Sequence, residues 1–140
     1  MATFDNTTVG SDVAPSYSPS IKYENDIISV SLGDGYEQRL RKGLNSTRRT
    51  INLEFNNRDK TTTDNILAFL EDPTKGDGGA KAFTYNPPYG TSGKFTCQNP
   101  LVELASANLY NISLVFKEVF EVWLYLLKNY NKITLQLLLN

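Results

Sequence analysis

The sequence predicts a mostly β domain with one short inserted helix, an antiparallel sandwich or split barrel of the α+β class. Three observations carry that prediction. Apolar residues alternate with polar ones in several separate runs; one run inserted between them has helical spacing; and the turns between them are built from Gly, Pro, Asn and Asp.

Ile28, Val30 and Leu32 alternate with Ser29 and Ser31, the period of a strand with one face on a core. Gly33-Asp34-Gly35 ends that strand, because glycines around an aspartate permit the positive φ of a tight turn. Ile51, Leu53 and Phe55 interleave with Thr50, Asn52, Glu54 and Asn56 in a second strand. Thr61-Thr62-Thr63-Asp64 supplies N-cap candidates for a helix carrying Ile66, Leu67, Phe69 and Leu70, which Asp72-Pro73 stops. Gly76, Gly78 and Gly79 then mark a mobile loop over Lys75 to Lys81. Ala82 to Tyr85 is a short strand closed by Asn86-Pro87-Pro88-Tyr89-Gly90, where Pro87 and Pro88 fix the turn stiffly. Phe95 and Cys97 alternate in another strand, and Tyr110, Ile112, Leu114 and Phe116 in the longest one.

The ends differ from this middle. Residues 1–20 are polar, with Pro15 and Pro19 and no apolar period, and read as an extended arm or lead-in. Residues 21–122 hold the β domain, and 123–140 form an apolar extension. Around it, Val119, Val122, Trp123, Leu126, Leu127 and Tyr130 follow helical spacing, while Ile133, Leu135, Leu137 and Leu139 alternate. Lys128, Asn129 and Lys132 interrupt the segment, so it falls short of the roughly 20 apolar residues of a bilayer span. It completes the domain's own core or docks on another subunit.

Composition narrows the chemistry. The 140 residues include no histidine, which removes the commonest general base and transition-metal ligand. Cys97 is the single cysteine, so no internal disulfide forms. The formal charge of −1 gives no global reason to bind nucleic acid or an anionic membrane. The start of the chain has neither the basic nor the apolar region of a secretory signal, which points to a chain that is soluble and cytoplasmic when made. Gly33-Asp34-Gly35 lacks the third glycine of a dinucleotide fingerprint, Gln38 standing in its place, and the 76–79 glycines lack the Lys and Ser or Thr of a phosphate loop. No cofactor or metal is expected. A carboxylate pair for glycoside hydrolysis drawn from Glu37, Glu54 and Glu103 has no spacing to select it. The basic residues Arg39, Arg41, Lys42, Arg48 and Arg49 read as solvated or ion-paired surface, or as partners of acidic groups on a neighbour.

Leu32-Gly33-Asp34-Gly35-Tyr36-Glu37-Gln38-Arg39, followed by Gly43-Leu44-Asn45, resembles the signature turn of the minor tail proteins of long-tailed phages, the M-type tail-tip family of lambdoid phages. Phe69-Leu70, Ala82 to Tyr89, Lys94 to Cys97 and Leu114 to Phe120 resemble later segments of that family in the same order. The tryptophan usual after the Cys strand is missing at Gln98-Asn99-Pro100, and Trp123 to Asn140 has no counterpart.

The resemblance implies a non-enzymatic structural subunit of the virion tail, assembled in the host cytoplasm, with a fold related to tail-tube and distal-tail proteins. It implies a six-fold homo-oligomeric ring that joins the tail-tube protein to other tail-tip proteins. That ring would surround a channel through which tape-measure protein and DNA pass. Gly33, Asp34, Gly35, Pro87 and Pro88 are the expected turn-defining residues, and Tyr36, Gln38, Arg39, Asn45 and Tyr89 the expected subunit interface. A competing reading is a host-surface or carbohydrate-binding module with Tyr85, Tyr89 and Tyr110 stacking on sugar; a third is a cell-wall hydrolase.

Overall fold

The computed structural model of the chain describes residues 2–16 and 19–120. The protein is mostly antiparallel β with one helix of substantial length, and its main sheet stays open, sandwich-like, without closing into a barrel. In chain order the strands are β1 (Ser20–Asn25), β2 (Ile27–Gly33), β3 (Tyr36–Arg41), β4 (Thr47–Arg58), β5 (Phe83–Tyr85), β6 (Gly93–Cys97), β7 (Leu101–Ser106) and β8 (Leu109–Glu118). The main sheet runs β1-β4-β8-β6-β5, with β7 also paired to β8, while β2 and β3 form a separate two-stranded sheet.

The predicted alternation of β4 and β8 becomes the centre of that sheet. Leu53 lies opposite Leu114 and Ile51 opposite Phe116, so the inward sets of the two strands coincide. Ile51, Leu53, Phe55, Ile112, Leu114 and Phe116 are buried. Phe83 and Tyr85 of β5 and Phe95 and Cys97 of β6 extend this face. Cys97 is buried among them, and burial pushes its thiol up to about 11. Helix α2 (Lys60–Glu71) covers the face with Ile66, Phe69 and Leu70. Its N-cap is Asp59, whose carboxylate accepts from the Thr62 N–H at 2.9 Å, just ahead of the predicted Thr61 to Asp64. The helix stops at Asp72, as predicted from Asp72-Pro73.

Three expectations fail on packing grounds. Residues 2–16 do not extend as an arm: Phe4, Val9 and Val13 are buried in the core. The Phe4 ring meets Phe116 edge-on at 5.2 Å and 88°, and also contacts Phe69 and Tyr85. Backbone bonds between Phe4 and Thr84 and between Thr84 and Ala2, both 2.8 Å, fix this segment along β5. A four-residue helix, α1 (Asn6–Val9), capped by Asp5, follows.

The Lys75 to Lys81 glycines form a hydrogen-bonded turn, with a short 3-10 segment at Asp77–Gly79. Gly76 is pressed against α2, since a Cβ there would stand 2.6 Å from the Leu70 carbonyl oxygen. Three strands, β1, β3 and β7, go beyond those predicted. Finally, among the described residues β2 has no core beneath it: Ile28, Val30 and Leu32 are 46, 49 and 64% exposed. The predicted extension at 123–140 lies outside the described residues.

Candidate assembly interface

The β2–β3 hairpin grows directly out of the main sheet. Asn25 of β1 faces Thr47 of β4, whereas Ile27 of β2 faces Arg41 of β3. One residue, Asp26, therefore stands opposite the segment Lys42-Gly43-Leu44-Asn45-Ser46 on the returning side. The Asp26 N–H donates to the Ser46 carbonyl at 2.7 Å, and its own carbonyl accepts from the Lys42 N–H at 3.0 Å. At the far end Asp34 and Gly35 have φ of 50° and 81°, the two left-handed residues of a tight hairpin turn, and Gly33 before them has φ of 89°. Every residue of both strands is exposed, and among the described residues the hairpin pairs with no other strand.

Its two faces differ. Cross-strand partners share a face, so Ile28 with Leu40 and Val30 with Gln38 make one side, to which alternation adds Tyr36. Ile27 with Arg41, Ser29 with Arg39 and Ser31 with Glu37 make the other. Arg39 donates to Glu37 at 3.0 Å along that polar side.

Two cavities at the joint show how these faces relate to the body. One, of about 660 Å³, is lined by Arg41 together with Tyr23, Arg49 and Glu118, on the side of the sheet that carries the core. The other, of about 480 Å³, is lined by Glu24, Asp26, Lys42 and Arg48 on the opposite side. Arg41 belongs to the polar face, so that face continues the core side of the sheet. The ribbon thus reverses across Asp26: apolar toward the core in β1 and β4, apolar away from it in β2 and β3.

The larger cavity has a rigid floor. Arg49, read from sequence as surface charge, is buried, and its Nε and Nη2 donate to the two carboxylate oxygens of Glu118 at 3.0 and 2.9 Å. Nη1 donates to the Thr91 carbonyl at 2.7 Å, and the guanidinium lies over the Phe95 ring at 5.3 Å. The side-chain bonds to Glu118 hold the guanidinium pKa above its ordinary value. No feature of the sequence links Arg49 to Glu118.

The expected interface residues fall into three places. Tyr36 and Gln38 lie on the apolar face of the hairpin; Arg39 lies on the polar face, pointing the other way. Asn45 and Tyr89 both line the larger cavity, with Tyr89 73% exposed. Of the turn residues, Gly33, Asp34 and Gly35 cluster at the hairpin tip, while Pro87 is buried and Pro88 exposed in the loop after β5.

Of the three tyrosines of the carbohydrate-binding reading, Tyr85 is buried in the core, with its hydroxyl pKa raised by burial, and offers no face to a sugar; Tyr110 of β8 is half-buried opposite Leu104 of β7, and Tyr89 is exposed. Glu37 stands on the separate hairpin, away from Glu54 on β4 and Glu103 on β7. Among the described residues no cluster of three or more His, Cys, Asp or Glu is placed to hold a metal, and no helix is long and apolar enough to cross a membrane.

Comparison with known proteins agrees with this architecture. A solved structure described as the tail of an empty GTA particle, refined helically with C6 symmetry, is similar at a TM-score of 0.55 and 16% identity, over 79% of this chain and 82% of that one. That likeness concerns the fold. No curated protein matches the chain. The sequence pattern of the family described as phage minor tail protein matches residues 12–120, which spans the whole sheet, the helix and the hairpin. The chain therefore belongs to the phage minor tail protein family, as a structural component of a phage tail.

Proposed function

We propose that this tail protein is a ring-forming subunit of the tail tip, which joins the tail tube to the distal tip complex and leaves an axial passage for tape-measure protein and DNA. The observation that carries the reading is the uncovered apolar side of the β2–β3 hairpin, where Ile28, Val30, Tyr36 and Leu40 are each between 46 and 73% exposed. A ribbon that buries nothing among the described residues and presents aliphatic and aromatic groups to water is suited to being covered on assembly. The C6 symmetry named for the structurally similar tail supports six as the copy number.

In this reading Tyr36 and Gln38 contact a neighbour through the apolar side of the hairpin, Arg39 lies at its polar side, and Asn45 and Tyr89 form a second contact patch beside the joint. The hairpin tip, held by Gly33, Asp34 and Gly35, and the Pro87-Pro88 turn are ordered before assembly, so less conformational freedom is lost on association. No catalytic step is assigned; the subunit works by complementary surfaces, placed in the virion tail after assembly in the host.

The test is the mass of the purified chain in solution, alone and with tube protein, together with images of the particles. Closed rings of uniform copy number support the reading. A monomer at all concentrations, with and without tube protein, overturns it.

A further inference from the structure

The larger cavity at the joint has a chemistry of its own, separate from the apolar side of the hairpin. Register puts Tyr23 of β1 opposite Arg49 of β4, so both side chains turn to the core side and line the cavity together. An added Cβ at Gly90 would stand 3.3 Å from Arg49 Nη1 and 3.6 Å from the Tyr23 hydroxyl, so bare backbone in the loop after β5 lets these groups converge. The rings of Tyr23 and Tyr89 both line this space and stay exposed, and Tyr89 follows the stiff Pro87-Pro88 turn. Charge is unbalanced at one point. Arg49 is neutralised by Glu118 and also donates to Thr91, whereas Arg41, which lines the same cavity from β3, has no hydrogen-bond or ion-pair partner among the described residues. The cavity therefore holds one uncompensated positive charge between two open aromatic rings.

We infer that this cavity binds an acidic saccharide, with the carboxylate of a hexuronic acid residue on Arg41 and its sugar ring against Tyr23 and Tyr89. The charge selects the anion. A planar guanidinium grips a carboxylate through two parallel hydrogen bonds, and one free cation balances one carboxylate. A phosphate group, with its greater charge, would meet Glu118 without a second free cation to balance it, and no helix N-terminus lines the cavity. The tyrosines select the ring. A pyranose has an apolar C–H face and a rim of hydroxyls, which matches flat aromatic surface flanked by polar groups, and tyrosine supplies that surface with few rotors to freeze. Asn45, whose amide both donates and accepts, lines the same cavity and suits the hydroxyl rim. The volume of about 660 Å³ is that of a small-ligand site. Arg41 and Tyr23 take no part in the contacts proposed for the ring, and only the exposed lining residues Asn45 and Tyr89 are shared with it.

Titration calorimetry on the full chain tests this, with a galacturonic acid trimer as the probe and its methyl ester as the uncharged control. The wild type is expected to bind the acid saturably, and the ester about tenfold more weakly. Arg41 is exposed on the hairpin, so Arg41→Gln is expected to keep the circular dichroism of the wild type while its affinity for the acid falls about tenfold, to the level of the ester. Tyr89→Ala is expected to weaken acid and ester alike, an effect that charge recognition by itself does not produce. A wild type that binds neither probe, or binds both equally, overturns the site. So does a glutamate trimer bound as tightly as the saccharide, since that shows charge recognised without the ring, and so does an Arg41→Gln variant that keeps full affinity for the acid. The ring reading is judged by particle mass and is untouched by any of these results.

Discussion

Arg49 and Glu118 form a two-point ion pair across β4 and β8 although 69 residues separate them, and the same guanidinium reaches the Thr91 carbonyl. The pair ties the end of the sheet's longest ladder to the loop beside the joint. Both side chains are nearly closed to water, at 8 and 12% exposure. Glu118→Ala strands a buried cation, and stability to chemical denaturation is expected to fall by about 3–5 kcal/mol. The double variant Arg49→Met, Glu118→Leu is expected to lose far less than the sum of the two single changes, measured by the same denaturation.

Gly35 has φ of 81°, and an added Cβ would meet nothing within 4 Å. Any effect of Gly35→Val is therefore backbone strain, about 1–2 kcal/mol against the turn. Among the described residues the hairpin contributes nothing to the core, so the thermal unfolding of the body should stay near the wild-type value while association weakens. Calorimetry and light scattering on the same sample separate the two effects.

Phe4 touches four core rings, Phe69, Phe83, Tyr85 and Phe116. Phe4→Ala is expected to cost about 3–5 kcal/mol, as for other buried phenylalanines. A free arm would give a change near zero, and equilibrium unfolding in urea distinguishes the outcomes.

The Asp59 carboxyl is held below its ordinary 3.8 by hydrogen bonds from Thr62. A carboxyl depressed in the folded state stabilises fully above its unfolded pKa and loses that contribution as pH falls through the folded value. The helix cap is therefore complete above about pH 4 and weakens below it. Asp59→Asn, which caps without ionising, should match the wild type near neutrality and show less loss of stability between pH 4 and pH 2, followed by circular dichroism.

Strands β4, β6 and β8 and helix α2 were legible because each buries one face, and burial writes the period into the residues. The same rule explains the misreading of β2: its alternation is real, but Ile28 and Val30 face away from the core, and periodicity says nothing about which side a neighbour covers. In β3 the Tyr-Glu-Gln-Arg-Leu-Arg run puts its charges on one face, Glu37, Arg39 and Arg41, and interrupts the other with the polar Gln38, so the apolar alternation is broken. The N-terminal segment contributes Phe4, Val9 and Val13 as isolated residues with no repeat between them, so its packing left no pattern. Of the candidate interface, the turn glycines and Tyr36 were readable as local chemistry. The opposition of Gln38 and Arg39, and the meeting of Asn45 with Tyr89, depend on contacts between distant segments.

The reversal at Asp26 has a consequence for how this protein can change. Because Ile28, Val30 and Leu40 share no contact surface with Ile51, Leu53 or Phe55, replacing them alters what the ribbon fits without disturbing what the body needs to stand alone. Holding a shape and, in the proposed assembly, matching a neighbour are thus written into two separate sheets, and each can drift while the other is kept.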